Sequence, residues 1–316
     1  MQAEGGWPVI ISASRRTDIP CCYSDWLLRR LQEGYALVRN PYNARQLSRV
    51  DLSPEKVDCI VFWSKNPAPL MPHLPAIRAA GYCFYFQFTL TPYADRWEPG
   101  LPPLKERLNT LCALSEQVGP QRVVWRYDPV ILDGDCSLSY HTGQFAFLCR
   151  QLSPYVDECV FSFADQYRHL KGLFPSITPA QMDEAARELG GIAQAYGISL
   201  SSCCEEIDLH AYGITHSSCI DQKRIERLLG MPIQASPDPG QRPGCGCIQS
   251  VDIGEYGTCP NGCRYCYASR SRAAAQRRYA LHDARSPLLT GWPQGDETIT
   301  DRSAASCKIR QTSLFS

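Results

Sequence analysis

Three cysteines near the end of the sequence form its most reactive local pattern. Cys259, Cys263 and Cys266 lie in "CPNGCRYCYA" at the spacing C-x3-C-x2-C, with Tyr265 directly before the third cysteine. A structural zinc site needs four ligands, usually in paired C-x2-4-C knuckles, and a simple electron-carrying iron–sulfur protein has runs of four cysteines. Three thiolates that hold a cubane cluster leave one iron open to a substrate or cofactor. The spacing alone leaves these three interpretations open. We call Cys259, Cys263 and Cys266 the cysteine motif.

Other cysteines crowd into the same quarter of the chain. The sequence has 17 cysteines. In a reducing compartment such a number favours metal binding or redox chemistry over disulfides. Cys204, Cys219, Cys245 and Cys247 are candidates for a second, auxiliary cluster, because four thiols saturate a cubane. Cys203 could replace Cys204 as a ligand. The alternative is that some of these residues are simply buried thiols.

Short apolar runs alternate with helical patterns along the chain, and the strands and helices that they predict must position these residues. Strands are predicted at 8–12, 36–39, 58–63, 82–89, 122–127, 158–163 and 197–202. Helices are predicted at 24–33, along the leucine stripe from Leu104 to Val118, and from the capping box at Thr178 to about Tyr196. This alternation predicts an α/β fold with a full or partial parallel (β/α) barrel. An open doubly wound sheet is the alternative, but no glycine-rich phosphate loop follows the first strand.

Polar residues directly follow several of the apolar strands. Barrel enzymes carry their chemistry at these carboxyl ends, where strands give way to loops. Lys65 follows the third predicted strand, and we expect it to face the same cavity as the other residues at strand ends. The candidate catalytic residues are Arg16, Asp18, Arg126, Asp128 and Glu205.

Composition limits the class of partner. The 32 basic and 32 acidic residues balance, so there is no general reason to expect nucleic acid or an anionic membrane as partner. No apolar run approaches the roughly 18 residues of a membrane span, and the first apolar run is too short for a signal peptide. We therefore expect a cytoplasmic protein that acts on a small molecule or a peptide.

We expect one domain over residues 1–316. Within it, residues 1–231 would form the barrel core, and residues 232–275 the cysteine-rich segment, after a proline- and glycine-rich loop at 232–243. Residues 276–316 would form a C-terminal tail that packs on the barrel.

The cysteine motif, with its aromatic residue and its α/β-barrel setting, resembles the signature of the radical S-adenosylmethionine (SAM) enzymes. The stretches "ISASRRTDIP", "FWSKNP", "WRYDP" and "DIGEYGTCPNGCRYCYA" resemble an uncharacterised bacterial family, domain of unknown function 1848. That family has a C-terminal cysteine cluster like the one that opens radical SAM domains. More distantly, Ser64-Lys65, Thr89 to Thr91, Glu98-Pro99, Arg107 and Asp128 to Val130 resemble the spore photoproduct lyase branch in their order.

The resemblance implies a 4Fe–4S cluster on the cysteine motif whose open iron chelates SAM. One electron, from a reductant such as a flavodoxin or ferredoxin, would release a 5′-deoxyadenosyl radical that abstracts hydrogen from an unknown substrate. By the same resemblance Ser64, Lys65, Asn66 and Tyr265 would bind SAM, since the usual glycine-glycine-glutamate run is absent. In most radical SAM enzymes the cluster loop follows the first strand, whereas here it is permuted to the C-terminal part. The alternative is a non-enzymatic iron–sulfur or zinc protein that stores metal or senses redox state.

Overall fold

The structure is a computed structural model that describes residues 7–302 and 304–308. In chain order its strands are β1 (Trp7–Pro8), β2 (Ile10–Ala13), β3 (Tyr35–Asn40), β4 (Asn43–Asp51), β5 (Cys59–Ser64), β6 (Phe84–Thr89), β7 (Val123–Val130), β8 (Glu158–Phe163), β9 (Ser199–Ser202), β10 (Thr215–His216), β11 (Val251–Asp252), β12 (Thr298–Asp301) and β13 (Ala304–Ala305). Its α-helices are α1 (Ile19–Cys22), α2 (Ser24–Glu33), α3 (Leu74–Ala79), α4 (Leu104–Val118), α5 (Leu138–Leu152), α6 (Pro179–Ala195), α7 (Gln222–Leu229) and α8 (Arg272–Tyr279).

Eight strands form one large parallel sheet in the order β10-β9-β8-β7-β6-β5-β2-β11. From β2 to β10 each further strand of this sheet is added on the same side, without the reversal that defines a doubly wound sheet. In the part of the chain that the structure describes, no ladder joins β10 to β11, so the sheet stays open. The fold is therefore α/β and is consistent with a partial TIM-like barrel, as the alternation of strands and helices predicted.

The two faces of this sheet carry separate cores, because side chains of a strand alternate between faces. On the outer face Phe62, Phe86 and Trp125 pack with helix residues such as Leu111 and Phe145. Full burial of an aromatic side chain of this kind contributes about 1.5–3 kcal/mol. On the inner face a smaller core includes strand residues together with Cys219 and Cys247; the strand residues are Ile10, Cys59, Val61, Tyr85, Val124 and Val160.

Three predicted helices agree closely with the structure. Helix α2 occupies the predicted residues 24–33 and ends at Gly34, whose φ of 76° is the left-handed conformation that favours glycine. Helix α4 carries the predicted leucine stripe. At the start of α6, the Thr178 hydroxyl accepts a hydrogen bond from the backbone N–H of Gln181. The Gln181 side chain in turn accepts one from the backbone N–H of Thr178, so the capping box is confirmed.

One predicted strand lies in a different sheet. The run at 36–39 was expected in the parallel sheet, but β3 pairs antiparallel with β4, and β4 pairs with β12 in a three-stranded sheet. A connection of two residues, Pro41 and Tyr42, joins β3 to β4, and so short a turn permits only antiparallel pairing. The prediction missed β4 because its residues, "NARQLSRVD", are mostly polar.

The chain returns to its first barrel strand just before the cysteine motif. Strand β11 pairs in parallel with β2, through Val251 with Ile11 and Asp252 with Ser12. The parallel sheet thus extends into the segment predicted as cysteine-rich, 232–275. Part of the predicted tail 276–316 also pairs, since β12 adds to β4; residues 303 and 309–316 of that tail, and residues 1–6, lie outside the described chain. No helix of the described chain combines the length and apolar character that a membrane crossing requires.

Candidate functional site

The loop that carries the cysteine motif starts at the carboxyl end of the parallel sheet. The carboxylate of Asp252, the last residue of β11, accepts hydrogen bonds from the hydroxyls of Ser12 (2.9 Å) and Ser14 (2.6 Å). It also accepts one from the backbone N–H of Arg15 at 2.8 Å. These bonds fix the exit of β11 against the exit of β2, so the loop begins where barrel enzymes carry their chemistry.

Glu98 joins this loop to the barrel. Its carboxylate lies 2.8 Å from the Lys65 ammonium and 3.0 Å from the Arg107 guanidinium, and it accepts hydrogen bonds from Thr91 (2.7 Å) and from the Tyr265 hydroxyl. Only 2% of Glu98 is exposed. Burial acts to raise the pKa of Glu98, but Lys65 and Arg107 outweigh it and hold that pKa below its ordinary value. The residue before the third cysteine is thus tied to a buried carboxylate.

Aromatic side chains surround the centre of the cysteine motif. Cys263 packs at the margin of a buried cluster that includes Tyr93, Trp97, Phe174 and Tyr265. Burial raises the pKa of the Cys263 thiol, and the nearby Lys65 ammonium acts in the opposite direction. These surroundings leave Cys263 only partly exposed and place one cation near it.

The third cysteine has backbone donors directed at its sulfur. The N–H groups of Ala268 and Ser269 donate to the Cys266 thiol and lower its pKa, whereas burial and the neighbouring Cys259 thiol raise it, with a net result of about 11. The imidazole of His169, from the loop after β8, lies 3.0 Å from the backbone oxygen of Cys266. Donors of this kind stabilise a thiolate once a metal has displaced the proton.

Two further cysteines, Cys21 and Cys22, lie beside the motif and were not predicted to belong to it. The amide of Asn261, from the motif loop, lies 3.9 Å from each of their sulfur atoms. Hydrogen bonds with the thiols of Cys21 and Cys259, together with burial, raise the pKa of Cys22. The Cys-Cys pair in the polar segment after the first strand was a signal in the sequence that could have identified them.

Three of the four residues predicted to bind SAM, Ser64, Lys65 and Asn66, lie at the end of β5, next to α1. The carboxylate of Asp18 accepts hydrogen bonds from the backbone N–H of Lys65 (2.9 Å) and of Cys21 (3.0 Å). The Ser64 hydroxyl accepts one from the backbone of Asn66 at 3.0 Å. Burial raises the pKa of Asp18 to about 6. The Lys65 ammonium lies 5.3 Å from the ring centre of Tyr265, so two of the predicted residues are in direct contact.

Arg126, which is buried, and Asp128, which is partly exposed, form an ion pair in the second half of β7. The guanidinium donates to the Asp128 carboxylate at 3.1 Å, and the Ser162 hydroxyl bonds the same carboxylate. Burial acts to raise the pKa of Asp128, but the Arg126 charge outweighs it and lowers that pKa. The positive charge of Lys65 also acts to lower the pKa of Asp128.

Arg16 does not join this group. Its guanidinium lies 3.9 Å from Asp252 and 5.2 Å from the ring centre of Tyr256. Arg15 takes the inner position instead, with its guanidinium 5.8 Å from the ring centre of Trp63; Arg126 lies 5.5 Å from the same ring. The sequence offered both arginines, and the turn after β2 decides which one faces the inner side of the sheet.

Glu205 lies at the rim near Asp128. Its carboxylate accepts a hydrogen bond from the backbone N–H of Phe163 at 2.8 Å. Burial, and then the negative charges of Asp165 and Asp128, raise the pKa of Glu205 to about 7. A carboxyl group with such a pKa can exchange a proton near neutral pH, which is the property of a general acid or base.

The cysteines considered for an auxiliary cluster also meet. The Cys203 and Cys219 sulfur atoms lie 3.2 Å apart, and Cys247 and Cys245 pack in the same core as Cys219. Cys204 has a positive φ of 60°, and its thiol donates to the backbone oxygen of Pro243 at 3.6 Å. We call Cys203, Cys219, Cys245 and Cys247 the four-thiol group; in this group Cys203, not Cys204, contacts Cys219.

Neither group of thiols is preformed around a single ion. Across residues 7–302 and 304–308, no three His, Cys, Asp or Glu side chains have the geometry to hold one metal ion. The thiols lie near or against one another, so a bound cluster would have to part them.

The model of a family described as a domain of unknown function, DUF1848, matches residues 10–268. A search of curated proteins gave no match. Among solved structures, one is a protein of Bacteroides thetaiotaomicron VPI-5482 assigned as an alpha-L-fucosidase; it is 10% identical, with a TM-score of 0.27, over 72% of this chain and 82% of that chain. Another is an HpcH/HpaI aldolase from Desulfitobacterium hafniense DCB-2, which is 10% identical, with a TM-score of 0.26, over 78% and 87% of the two chains. Likenesses this weak support no statement about function.

Proposed function

The chain belongs to the DUF1848 family, a domain of unknown function, and we propose that it is an enzyme of the radical SAM type. One observation carries the proposal. The cysteine motif leaves the sheet at its carboxyl end, and its Tyr265 is bonded to the same buried Glu98 that pairs with Lys65. Three thiols and a cation therefore lie together above a parallel α/β sheet, where a bound cofactor would meet a substrate.

The thiols suit a 4Fe–4S cluster. Cys259, Cys263 and Cys266 provide three ligands, and the N–H groups of Ala268 and Ser269 already point at the third sulfur. When bound, such a cluster with SAM supplies one-electron cleavage of the sulfonium and a 5′-deoxyadenosyl radical, driven by a reductant such as a flavodoxin or ferredoxin. The protein's own task is to orient the cofactor and the substrate and to exclude water.

The place of the motif in the chain is consistent with this proposal. Because β11 pairs with β2, the cysteine loop leaves the sheet beside the first barrel strand although the chain reaches it last. A permutation of this kind preserves the neighbours of the loop in space while it changes the order of the sequence. It would give the cluster the same relation to the sheet as in enzymes where the loop follows the first strand.

Individual residues would have distinct roles. Lys65, held by Glu98 at 2.8 Å, would face the carboxylate end of SAM, with the polar groups of Ser64 and Asn66 beside it. Arg126 and Asp128 would hold polar groups of the substrate, which we expect to be a small molecule or a peptide. Glu205, with a pKa of about 7, is the candidate to accept or return a proton.

The test is SAM cleavage by protein that has been reconstituted anaerobically with iron and sulfide and then reduced with dithionite. We expect 5′-deoxyadenosine to form, even without substrate, through uncoupled turnover. The Cys259→Ala/Cys263→Ala/Cys266→Ala variant should form none, and Cys112→Ala, which replaces a half-buried thiol of α4, should match the unaltered protein. Absence of 5′-deoxyadenosine from unaltered protein that has bound its cluster would refute the proposal.

A second function is favoured by one contact. Cys22 lies within hydrogen-bonding reach of Cys259 and could supply a fourth thiolate to a cluster on the motif. A saturated cluster, or a zinc ion, would have no open position for SAM. The protein would then be a non-enzymatic metal-binding or redox-sensing protein, and replacement of Cys22 distinguishes the two functions.

A further inference from the structure

A group of four thiols on the inner face of the sheet is separate from the cysteine motif. Its members come from three different parts of the chain: Cys203 follows β9, Cys219 follows β10, and Cys245 and Cys247 lie in the loop between α7 and β11. The Cys203 and Cys219 sulfur atoms are in contact at 3.2 Å, and Cys247 and Cys245 pack in the same inner core as Cys219. We propose that this four-thiol group holds a second 4Fe–4S cluster.

Positive charge faces the group from within the sheet. A guanidinium nitrogen of Arg126, which is 4% exposed, donates to the Cys219 sulfur at 3.0 Å. The guanidinium of Arg15 lies on the same side, 5.8 Å from the ring centre of Trp63, which packs against the same inner core. Asp128 and Asp238 also pair with these arginines, which keeps the guanidinium groups in place. The two guanidinium groups, each shared with a carboxylate, still lower the cost of burying thiolate sulfurs here.

The surrounding backbone holds the group in place. The N–H of Ile220 donates to the Cys247 sulfur at 3.4 Å. Within the loop, Asp238 and Cys247 are joined by a backbone hydrogen bond of 2.9 Å, and Pro237 bridges to Ile248. Cys219 and Cys247 are 5% and 1% exposed, and Cys203 and Cys245 pack half-buried against the same inner core. The group is therefore buried on the side of Cys219 and Cys247 and partly accessible to solvent on the side of Cys203 and Cys245.

Two alternatives fit less well. Zinc favours knuckles with two to four residues between cysteines, whereas Cys245 and Cys247 have one residue between them. A disulfide between Cys203 and Cys219 would leave the Arg126 guanidinium facing a neutral sulfur and would leave Cys245 to pair with Cys247 across one residue. A cubane uses all four thiols and needs four ligands.

The test uses the Cys259→Ala/Cys263→Ala/Cys266→Ala variant, in which only the four-thiol group remains. After anaerobic reconstitution it should bind about four irons and about four sulfides per chain, and unaltered protein about twice as much. Introduction of Cys203→Ser into this triple variant should remove most of that iron. The matched change Cys204→Ser in the same background, one residue away, should not. Circular dichroism of each variant checks the fold.

Several results would overturn the proposal. One is that the folded Cys259→Ala/Cys263→Ala/Cys266→Ala variant binds no iron, or binds one zinc per chain instead. Another is that the Cys203→Ser and Cys204→Ser variants bind equal amounts of iron. A third is a thiol count that shows disulfides in protein kept anaerobic. If the triple variant does not fold, unaltered protein with about four irons rather than about eight contradicts the second cluster. None of these measurements depends on SAM cleavage, so this proposal and the radical SAM proposal can fail separately.

Discussion

The hydroxyl of Tyr265 donates a hydrogen bond to the buried carboxylate of Glu98, 167 residues earlier in the chain. Tyr265 belongs to the cysteine motif loop, and Glu98 to the segment after β6. The same carboxylate oxygen lies 2.8 Å from the Lys65 ammonium. One charged group of the barrel thus helps to fix the cysteine loop over the sheet, together with the bonds of Asp252 at the start of the loop.

Replacement of Glu98 by Gln should destabilise the protein strongly. Lys65 and Arg107 would lose their common anionic partner while they remain buried, and loss of one partner from a buried ion pair costs about 3–5 kcal/mol. Glu184→Gln, at an exposed position of α6, should change the free energy of unfolding by less than about 0.5 kcal/mol. Urea unfolding of metal-free protein measures both. Equal stability of the two variants would mean that the Glu98 network does not hold the fold.

The close approach of Gly100 to the cysteine loop gives a second prediction. A Cβ atom at Gly100 would lie 2.2 Å from the backbone oxygen of Asn261, within the motif loop, so that loop would have to move. We expect Gly100→Ala to lower the iron bound by the motif by more than half. Gly134→Ala is the control, because a Cβ there meets nothing within 4 Å. Iron analysis after reconstitution should show a deficit for Gly100→Ala alone.

Asp18 should make stability depend on pH. Its pKa of about 6 in the folded protein exceeds the usual value, so between roughly pH 4 and 6 the folded state binds more protons than the unfolded state. Protonation of Asp18 therefore makes its full contribution to the free energy of unfolding below about pH 4, and that contribution is lost as the pH rises through about 6. A tenfold difference in proton affinity between the folded and unfolded states corresponds to about 1.4 kcal/mol.

The variant Asp18→Asn should lack this dependence. Its free energy of unfolding, measured by urea titration at several pH values, should fall less steeply between pH 4 and 6 than that of the unaltered protein. The slope is the informative quantity, because the amide also places an N–H group against a backbone donor and so costs stability at every pH. Identical slopes would show that Asp18 does not titrate in this range.

Replacement of Cys22 tests whether a cluster on the cysteine motif has one iron without a protein ligand. If three thiols hold it, Cys22→Ala should keep the iron of the motif and the rate of 5′-deoxyadenosine formation within about twofold. If Cys22 is a fourth ligand, the same change should open an iron and increase SAM cleavage from a low value. Iron content and 5′-deoxyadenosine, measured on one preparation of each protein, separate the two cases.

Much of the fold could be predicted from local patterns. Helix α2 and the capping box of α6 follow from their stop and start signals, and the buried strands β5 to β8 from continuous apolar runs. Strand β4 could not be predicted in this way, since its face toward solvent is polar. Strand β11, with two residues, is too short to show a period, although it gives the cysteine loop its place beside β2.

The site was harder to predict, because contacts across loops leave little trace in the sequence. The cysteine motif and Lys65, both predicted for the site, lie near each other in the structure, with the Lys65 ammonium 5.3 Å from the ring centre of Tyr265. The prediction named Arg16, whereas Arg15 is the one that lies beside Trp63; it left Cys203 and Cys204 as alternatives, and Cys203 is the one in contact with Cys219. In both pairs the residues are adjacent, and only the backbone conformation determines which side chain points inward.

The central claim is that the cysteine motif holds a cluster with a position open to SAM. The most direct test is the electron paramagnetic resonance spectrum of the reduced, reconstituted protein with and without SAM, because binding at an iron alters the spectrum without any need for the substrate. We predict that SAM shifts the signal of the motif cluster and that the shift is absent from Cys259→Ala/Cys263→Ala/Cys266→Ala and present in Cys112→Ala. A motif cluster that is formed and reduced, but whose spectrum is unchanged by saturating SAM, would contradict the account.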